Sequence, residues 1–589
     1  MESDEIPSVT SFEQQAVAEA SNPAAPCPDC YFDFVASQNQ IKGPSDALYS
    51  CFASTNSYPS PQEGASIQVE IKDAITQISF INNAVSRLRE AINALDKEKC
   101  RIEGVLERYR SILRPVHRLP SEILLKIFCL TSDVPASIDS EGFGRIQAPS
   151  SLCPSRPPWV LSQVCRSWRQ LALDTPSLWS FVSFNFLTCE HLMLHAQCRR
   201  LQLQLHRSGK NPLDIVATTS TSDSSVIERL LFPLCSSSPY WRSLRLQSDE
   251  ELFSLGMTFA SGRLQALESL HLHLIGPIHH GFDYFQFASR LTRLSLSGGR
   301  RLGSNVDETD SGRLLKLPYC QITHYRWEDD DSENFLDMDS ASGWVLWIFA
   351  HFTLRKLPNL QSCHLFFHSR AGIHQYIFRE TAPGFIDGSL KVSLHRLIEL
   401  ELHTVDMKTG IHAVLPWIVH APSLEKLTIF SSGPDRAALS TFLTHPQKLT
   451  YLSIPMVEMP PDELSAVLSR ITGLKDLSFG VAGGITDGYI SLFLPTHPET
   501  GDFSIVPNLQ NLSLLAIPDG KSSYSENTLL DVLEARRREV GLSSGAGVAS
   551  SYQRLLSVNL DRPVEGRAAT VRMDQLRAEG LRVRFRSEN

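Results

Sequence analysis

A short apolar phrase returns eleven times in the second half of this chain. It consists of an apolar residue, two variable residues, a second apolar residue, one variable residue and a third apolar residue. The copies begin at Trp241, Leu267, Leu291, Ile322, Leu360, Leu397, Leu424, Leu449, Leu474, Leu509 and Leu555. Many steps are roughly 24–27 residues, a period typical of stacked repeat units. Because one unit cannot bury its own apolar side chains, neighbouring units must stack to share a core.

The period fits leucine-rich repeats, in which each phrase supplies a short strand and each intervening stretch a helix or an irregular return. The asparagine position of that repeat family is mostly absent, so ordinary α/β units stay open for part of the segment. Pro461 is placed to begin one return helix, which should reach about Ile471. We therefore predict an α/β chain in which residues 210–589 form an irregular leucine-rich-repeat-like solenoid that binds another protein.

A heptad pattern of apolar residues covers residues 66–113. Ile71, Ile78, Val85 and Ile92 recur at seven-residue steps, with a second apolar series between them. This pattern predicts a long coiled-coil helix that buries one stripe against another helix. Pairing with a second copy and folding back on the same chain are both open, and Lys99 at a core position weakens a dimer.

Residues 1–65 are rich in Ser, Ala, Pro, Gln and Asn without sustained periodicity, which predicts a disordered segment. Cys27 and Cys30 have the spacing of half a zinc site. A second cysteine pair does not follow, so the interpretation is two free thiols, and no metal site is predicted.

Residues 117–181 contain two motifs separated by an insertion. The first runs from His117 to Phe128 and combines a proline and serine helix start with apolar residues on one face. After residues 131–158, whose proline, serine and glycine content predicts an exposed loop, the second motif runs from Val160 to Ala172. A Pro-Ser-Leu-Trp sequence follows it at 176–179.

Taken together and in this order, these motifs resemble an F-box, and the arrangement of the chain resembles the large F-box families of mushroom-forming fungi. The resemblance implies a helical module that binds a Skp-type adaptor, itself carried by a cullin scaffold, and it implies no catalytic role. The positions that match the family's motif, and that we expect to contact the adaptor, are Leu119, Pro120, Ile123, Leu124, Ile127, Phe128, Val164, Cys165, Trp168 and Leu171. The insertion is longer than the family norm.

Composition restricts the partners and the compartment. A formal net charge of -9 argues against nucleic acid, and the twelve cysteines are too sparse for a disulfide framework. The acidic start of the chain and the lack of a long apolar run argue against secretion and against a membrane. We expect a cytoplasmic or nuclear protein.

Sequence motifs for phosphate binding, nucleophilic catalysis or zinc proteolysis do not occur, so we expect a chain without enzymatic activity or a cofactor. The first hypothesis is a substrate receptor of a ubiquitin ligase. The second is a ligase-independent scaffold that assembles a complex through the coiled coil and the repeats. A hydrolase in the C-terminal half is the third, and a deep pocket with convergent titratable groups would favour it.

Overall fold

The structure is a computed structural model of the 589-residue chain. The structure describes residues 58–112, 119–132, 150–185, 191–218, 231–249, 257–275, 283–298, 316–328, 353–367, 392–404, 418–430, 448–457, 459–481, 483–494, 503–515, 522–537 and 553–585, and a few shorter stretches besides these. The chain divides into two compact units, Met1–Pro120 and Ser121–Asn589. The cysteine pair at 27 and 30 and residues 133–149 of the insertion lie outside the described residues.

The first unit contains one long helix, α1, which spans Pro61–Ile112. It begins five residues before the predicted boundary because Ser60 and Glu63 cap it reciprocally. The hydrogen bond from Ser60 lowers the pKa of the Glu63 carboxyl. Along the helix the predicted apolar stripe faces solvent, with Ile78 57% and Leu95 71% exposed.

The second unit combines helices with parallel strands. Its principal helices are α2 Ser121–Ser132, α3 Leu161–Val164, α4 Arg166–Leu173, α5 His191–Ser208, α6 Pro461–Leu468, α7 Asp487–Ser491, α8 Glu526–Ala535 and α9 Arg567–Ala578. Its strands are β1 Phe181–Asn185, β2 Leu213–Thr218, β3 Trp241–Asp249, β4 Ser269–Ile275, β5 Pro277–Ile278, β6 Arg293–Gly298, β7 Arg301–Leu302, β8 His324–Glu328, β9 Ser362–Phe367, β10 Val392–Ser393, β11 Glu399–Thr404, β12 Ile418–His420, β13 Lys426–Phe430, β14 Tyr451–Val457, β15 Asp476–Val481, β16 Asn511–Leu514, β17 Ser557–Leu560 and β18 Arg582–Phe585. A 3₁₀ turn covers Pro176–Trp179.

Fourteen of these strands form one parallel sheet, in the order β1-β2-β3-β4-β6-β8-β9-β11-β13-β14-β15-β16-β17-β18. Each strand therefore lies beside the next of these strands along the chain, and the four remaining strands form two small pairs. The central apolar residue of each phrase stands in register with that of its neighbours, so that Leu270, Leu294 and Tyr325 are adjacent. All three are at most 1% exposed, and they belong to one continuous core.

The eleven phrases account for eleven of these strands, from β3 to β17. The return helix expected after Pro461 is present as α6. The phrase did not reveal β1, β2 or β18, and the sheet begins at Phe181, before the predicted start at residue 210. Within the described part of the chain, no helix is both long enough and apolar enough to cross a bilayer.

Candidate functional site: the helical module at residues 121–185

Helices α2 and α4 meet around an aromatic core. Phe128 of α2 is fully buried, and its ring packs edge to face on Trp168 of α4 with the centroids 4.8 Å apart. Trp159 and Trp179 form a second edge-to-face pair at 5.0 Å. Leu178 is also buried in this cluster, so the two motifs predicted from sequence fold into one module.

Two tryptophan side chains are fixed by hydrogen bonds as well as by packing. The Trp179 indole donates to the Ala172 carbonyl at 2.8 Å, and the Trp159 indole donates to the Ser151 carbonyl at 2.9 Å. The guanidinium of Arg207, on α5, lies over both rings, 4.4 Å from the Trp179 centroid and 5.0 Å from that of Trp159. Burial lowers the pKa of Arg207. These contacts attach the module to helix α5, which follows strand β1 in the chain.

The end of the insertion is not an exposed loop. Leu152 is 1% exposed and belongs to the core under the sheet. The Ser151 amide donates to the Ser183 carbonyl on β1 at 2.8 Å, and the Ser151 hydroxyl bonds to Gln204 of α5. The prediction of an exposed loop over 131–158 was therefore wrong at Ser151 and Leu152, which supply the backbone and apolar contacts of a sheet edge, whereas residues 154–156 are exposed. At its other end, residues 131–132 complete α2.

Three predicted contact residues of the second unit present apolar surface to solvent. Ile123 is 43% exposed, Ile127 39% and Val164 56%. Ile123 and Ile127 are one turn apart on α2, so they share one face of that helix. Leu130, which is 75% exposed, continues the same face three residues on. Sequence reasoning missed Leu130, although its spacing from Ile127 was the signal that could have found it.

Other predicted contact residues have internal roles. Phe128 and Leu124 are buried, at 0% and 8% exposure, so they support α2 from inside. Cys165 caps α4, because its sulfur accepts a hydrogen bond from the Trp168 amide at 3.4 Å. Trp168 and Leu171 are half-buried and pack against the aromatic cluster.

Leu119 and Pro120 belong to the first unit, where Leu119 is half-buried and Pro120 exposed. Helix α2 starts directly after them, at Ser121, as the proline and serine signal predicts.

The solvent-directed face of the sheet is the second surface of interest. Strand residues alternate between the two faces, so the neighbours of the buried leucines point away from the core. On β8, β9 and β11 this face carries Arg326, His364 and Glu401 in register. The Glu401 carboxylate lies 2.5 Å from the Nδ1 atom of His364 and 2.6 Å from the Nε2 atom of His403. Hydrogen bonds to His364 and then His403 hold the pKa of Glu401 far below its usual range.

Across the ranges that the structure describes, no group of three or more His, Cys, Asp or Glu side chains is arranged to hold a metal ion.

Comparison with known proteins identifies the helical module. A family model described as F-box-like matches residues 116–185. The chain therefore contains an F-box-like domain, and the recognition of an F-box from the sequence is confirmed. The match extends through strand β1, four residues beyond the predicted end at 181. No curated protein matches the chain.

Proposed function

We propose that this chain is the substrate-receptor subunit of a Skp-cullin-F-box ubiquitin ligase. The F-box-like module would bind the Skp-type adaptor, which the cullin scaffold carries, and the repeats would hold a client protein for ubiquitin-dependent degradation. Ubiquitin transfer would belong to other subunits, so this chain would act by positioning the client. In the proposal the sheet of residues 181–585 is an irregular leucine-rich-repeat-like solenoid, and the protein works in the cytoplasm or nucleus.

The observation that carries the proposal is the apolar face of α2. Ile123, Ile127 and Leu130 leave between 39% and 75% of their surface in water on a helix whose other side is anchored by Phe128. Each large apolar side chain that a partner removes from water contributes about 1.5–3 kcal/mol. Three or four such residues therefore offset a large part of the cost of association, and the remaining contacts of the interface supply the rest. Val164 supplies further apolar surface from α3.

Co-expression with a Skp-type adaptor followed by pull-down tests this function. The variant Leu119→Ala, Pro120→Ala and Ile123→Ala should lose the adaptor, because it removes apolar surface at the expected contact. The matched control replaces three exposed apolar residues elsewhere, Phe287→Ala, Leu556→Ala and Val571→Ala, and should retain it. An adaptor that binds both variants equally would refute the contact assignment.

A ligase-independent scaffold is the second candidate function, and the exposed stripe of α1 favours it. Ten apolar residues of the stripe are at least 37% exposed along this helix: Ile71, Ile78, Ile81, Val85, Leu88, Ile92, Leu95, Ile102, Leu106 and Tyr109. A continuous stripe of this kind buries itself against another helix in water. Failure of the intact chain to bind any Skp-type adaptor, together with self-association, would support the scaffold.

A further inference from the structure

The apolar stripe of α1 is open along its length and is interrupted by one charged residue. Its two series of core positions alternate, and each apolar member from Ile78 to Tyr109 is at least 37% exposed. Lys99 occupies the core position between Leu95 and Ile102. A stripe of this length is stable in water when it packs against another helix, and the charges on it and beside it restrict which helix and which direction fit.

Lys99 disfavours a parallel pair of identical helices. In such a pair every core residue faces its own copy, so Lys99 would face Lys99 of the second copy, and the two ammonium groups would repel each other in the seam. In an antiparallel pair Lys99 instead faces a member of the other series, which is apolar throughout. The Lys99 Nζ atom lies 4.0 Å from the Glu103 carboxylate on the same helix. The Lys99 stem can therefore cover an apolar neighbour while its charged end stays with Glu103 in water.

The charges that flank the seam also disfavour the parallel pair. In that arrangement, the residue just before one core position lies beside the residue five positions further along the second helix. Glu98 would therefore lie beside Glu103 of the second copy, and the two-fold axis would repeat this like-charge contact. Arg101 binds the Glu98 carboxylate at 2.7–3.0 Å within one helix, which weakens the repulsion without making it attractive. The corresponding positions between residues 70 and 110 contain no oppositely charged pair.

An antiparallel pair in which Ile92 packs on Leu95 of the second copy removes both conflicts. Arg89 then lies beside Asp96 of the second copy, and the two-fold axis repeats this oppositely charged contact. Both residues are exposed and form no ion pair with any residue that the structure describes. They stand about 10 Å apart along one helix, which is too far for them to neutralise each other. The second copy therefore supplies the partner that each of them lacks.

The same register fills the seam with apolar contacts. Sliding one helix by a heptad in either direction would bring Arg89 beside Arg89, or Asp96 beside Asp96, of the second copy, so the charges favour this register over its neighbours. In the favoured register Lys99 packs on Leu88, Val85 on Ile102, Ile81 on Leu106 and Ile78 on Tyr109, the second residue of each pair belonging to the second copy.

We propose that α1 binds α1 of a second copy of this chain as an antiparallel coiled coil in this register. The inference goes beyond the proposed function and does not depend on adaptor binding. In the pair, Ile112 at the end of one helix is level with Ile75 of the second copy. The two Ile112 residues therefore lie about 55 Å apart along the axis, and the two chains leave the coiled coil at opposite ends. One particle would then carry two F-box-like modules.

Cysteine cross-linking of the full chain tests the direction of pairing. Every sample carries Cys100→Ser, because Cys100 is exposed on α1. Ile81→Cys and Leu106→Cys chains with different tags, expressed together and mildly oxidised, should form a disulfide between positions 81 and 106, identified by peptide mass spectrometry. Either variant alone should form little disulfide with itself, because equal positions of the two copies lie about 37 Å apart along the axis.

The matched control pairs Asn83→Cys with Gly104→Cys, which are at the same level but on the outer side of each helix. A side chain added at Gly104 meets no other atom within 4 Å, so the helix should tolerate it. These outward cysteines should not cross-link. Self-linked single variants, as abundant as the mixed disulfide, would show a parallel pair and overturn the proposal. Mixed disulfide no more abundant than in the outward control would overturn pairing with a second copy.

Charge reversal tests the register independently, with the self-association constant measured by sedimentation equilibrium at low salt. Arg89→Glu and Asp96→Lys should each weaken self-association by about tenfold, because each converts two attractive contacts into two repulsive ones. The combination of both substitutions should restore the affinity of the intact chain. Glutamate and lysine both favour helix, so the helix itself is preserved.

A parallel pair gives a different result for the same variants. There, Arg89 lies beside Ala84 and Asp96 beside Ala91 of the second copy, so neither reversal should change the affinity. Single variants that associate as tightly as the intact chain, or a combined variant as weak as the single ones, would overturn the proposal. Adaptor binding, measured on the same samples, reports on the F-box-like module separately.

Discussion

The rings of Phe128 and Trp168 pack edge to face with their centroids 4.8 Å apart and their planes at 60°. The two residues lie on opposite sides of the insertion at 131–158, and Trp179 of the following turn completes the cluster. A longer insertion therefore does not prevent the two motifs from meeting, which agrees with the slow growth of closure entropy with loop length. Helix α2 packs on this cluster through Phe128, so the position of its exposed apolar face depends on the cluster.

Phe128→Ala should destabilise the helical module, because Phe128 is fully buried and contacts Trp168. Truncation of a buried phenylalanine costs about 3–5 kcal/mol from lost transfer energy and the cavity left behind. Hydrogen exchange should show loss of protection in residues 121–132 and 150–180. Phe287→Ala is the control, since Phe287 is 63% exposed and its truncation should leave protection unchanged. Unchanged exchange in Phe128→Ala would contradict the packing described.

Substitution of the α1 stripe should reduce the mass of the particle in solution. Ile78→Asp, Ile81→Asp and Leu88→Asp place three charges in the exposed stripe, where a paired helix would have to bury them. Light scattering should give a dimer for the intact chain and the 65.8 kDa monomer for this variant, while adaptor binding persists.

A matched control for the stripe adds the same charges elsewhere on α1, as Ser79→Asp, Asn83→Asp and Asn93→Asp. These positions lie outside the two apolar series of the heptad, so the control should keep the mass of the intact chain. Equal masses for the intact chain and the stripe variant would contradict the dimer and leave pairing within one chain.

Arg536→Met should lower the melting temperature, because Arg536 is buried and hydrogen-bonded to backbone carbonyls of the core. Arg536 is 1% exposed and donates to the carbonyls of Phe493, Ile505 and Val506 at 2.7–3.0 Å. Burial lowers its pKa to about 9, so the side chain is still protonated at pH 7. Leaving buried carbonyls without donors costs about 1–3 kcal/mol for each group.

One of the three accepting carbonyls belongs to Val506, whose φ of 42° is rarely adopted by a β-branched residue. Calorimetry measures the effect, with the exposed Arg567→Met as the control. A melting temperature of Arg536→Met equal to that of the control would show that the three hydrogen bonds do not stabilise the fold.

Glu401→Gln should reduce stability in a pH-dependent manner. Hydrogen bonds to His364 and His403 lower the pKa of Glu401 in the folded chain, whereas the unfolded carboxyl titrates near about 4.3. The ionised carboxylate therefore stabilises the fold above that pH, and this contribution is lost as the pH falls further. Urea midpoints of the two proteins should differ most near pH 7, and the difference should narrow as the pH falls below about 4. A constant difference would contradict the His364 and His403 assignment.

Much of the sheet could be predicted, because the apolar phrase that marks each strand lies within a few consecutive residues. The phrase fixes which residues of a strand face the core, so Leu270 and Leu427 could be assigned to it before any contact was known. Strands β1 and β18 escaped detection because Phe181–Asn185 and Arg582–Phe585 lack the complete phrase and depend on a neighbouring strand. The buried end of the insertion depends on Ser183, some thirty residues away, and no periodicity reveals such a contact.

The candidate site was predictable as a set of residues but not as a surface. The family motif selected Ile123, Leu124, Ile127 and Phe128 together, although only the first and third of them face solvent. Which side of α2 is buried depends on Trp168, which is distant in sequence.

Isothermal titration of the full chain with a purified Skp-type adaptor tests the central claim most directly. The account predicts binding of about one adaptor for each chain, with a negative heat-capacity change from burial of the apolar face of α2. Ile123→Asp with Ile127→Asp should abolish the binding heat while the chain keeps a cooperative thermal transition, because both side chains are partly exposed. Absence of binding by the intact chain, or undiminished binding by the double variant, would contradict the account.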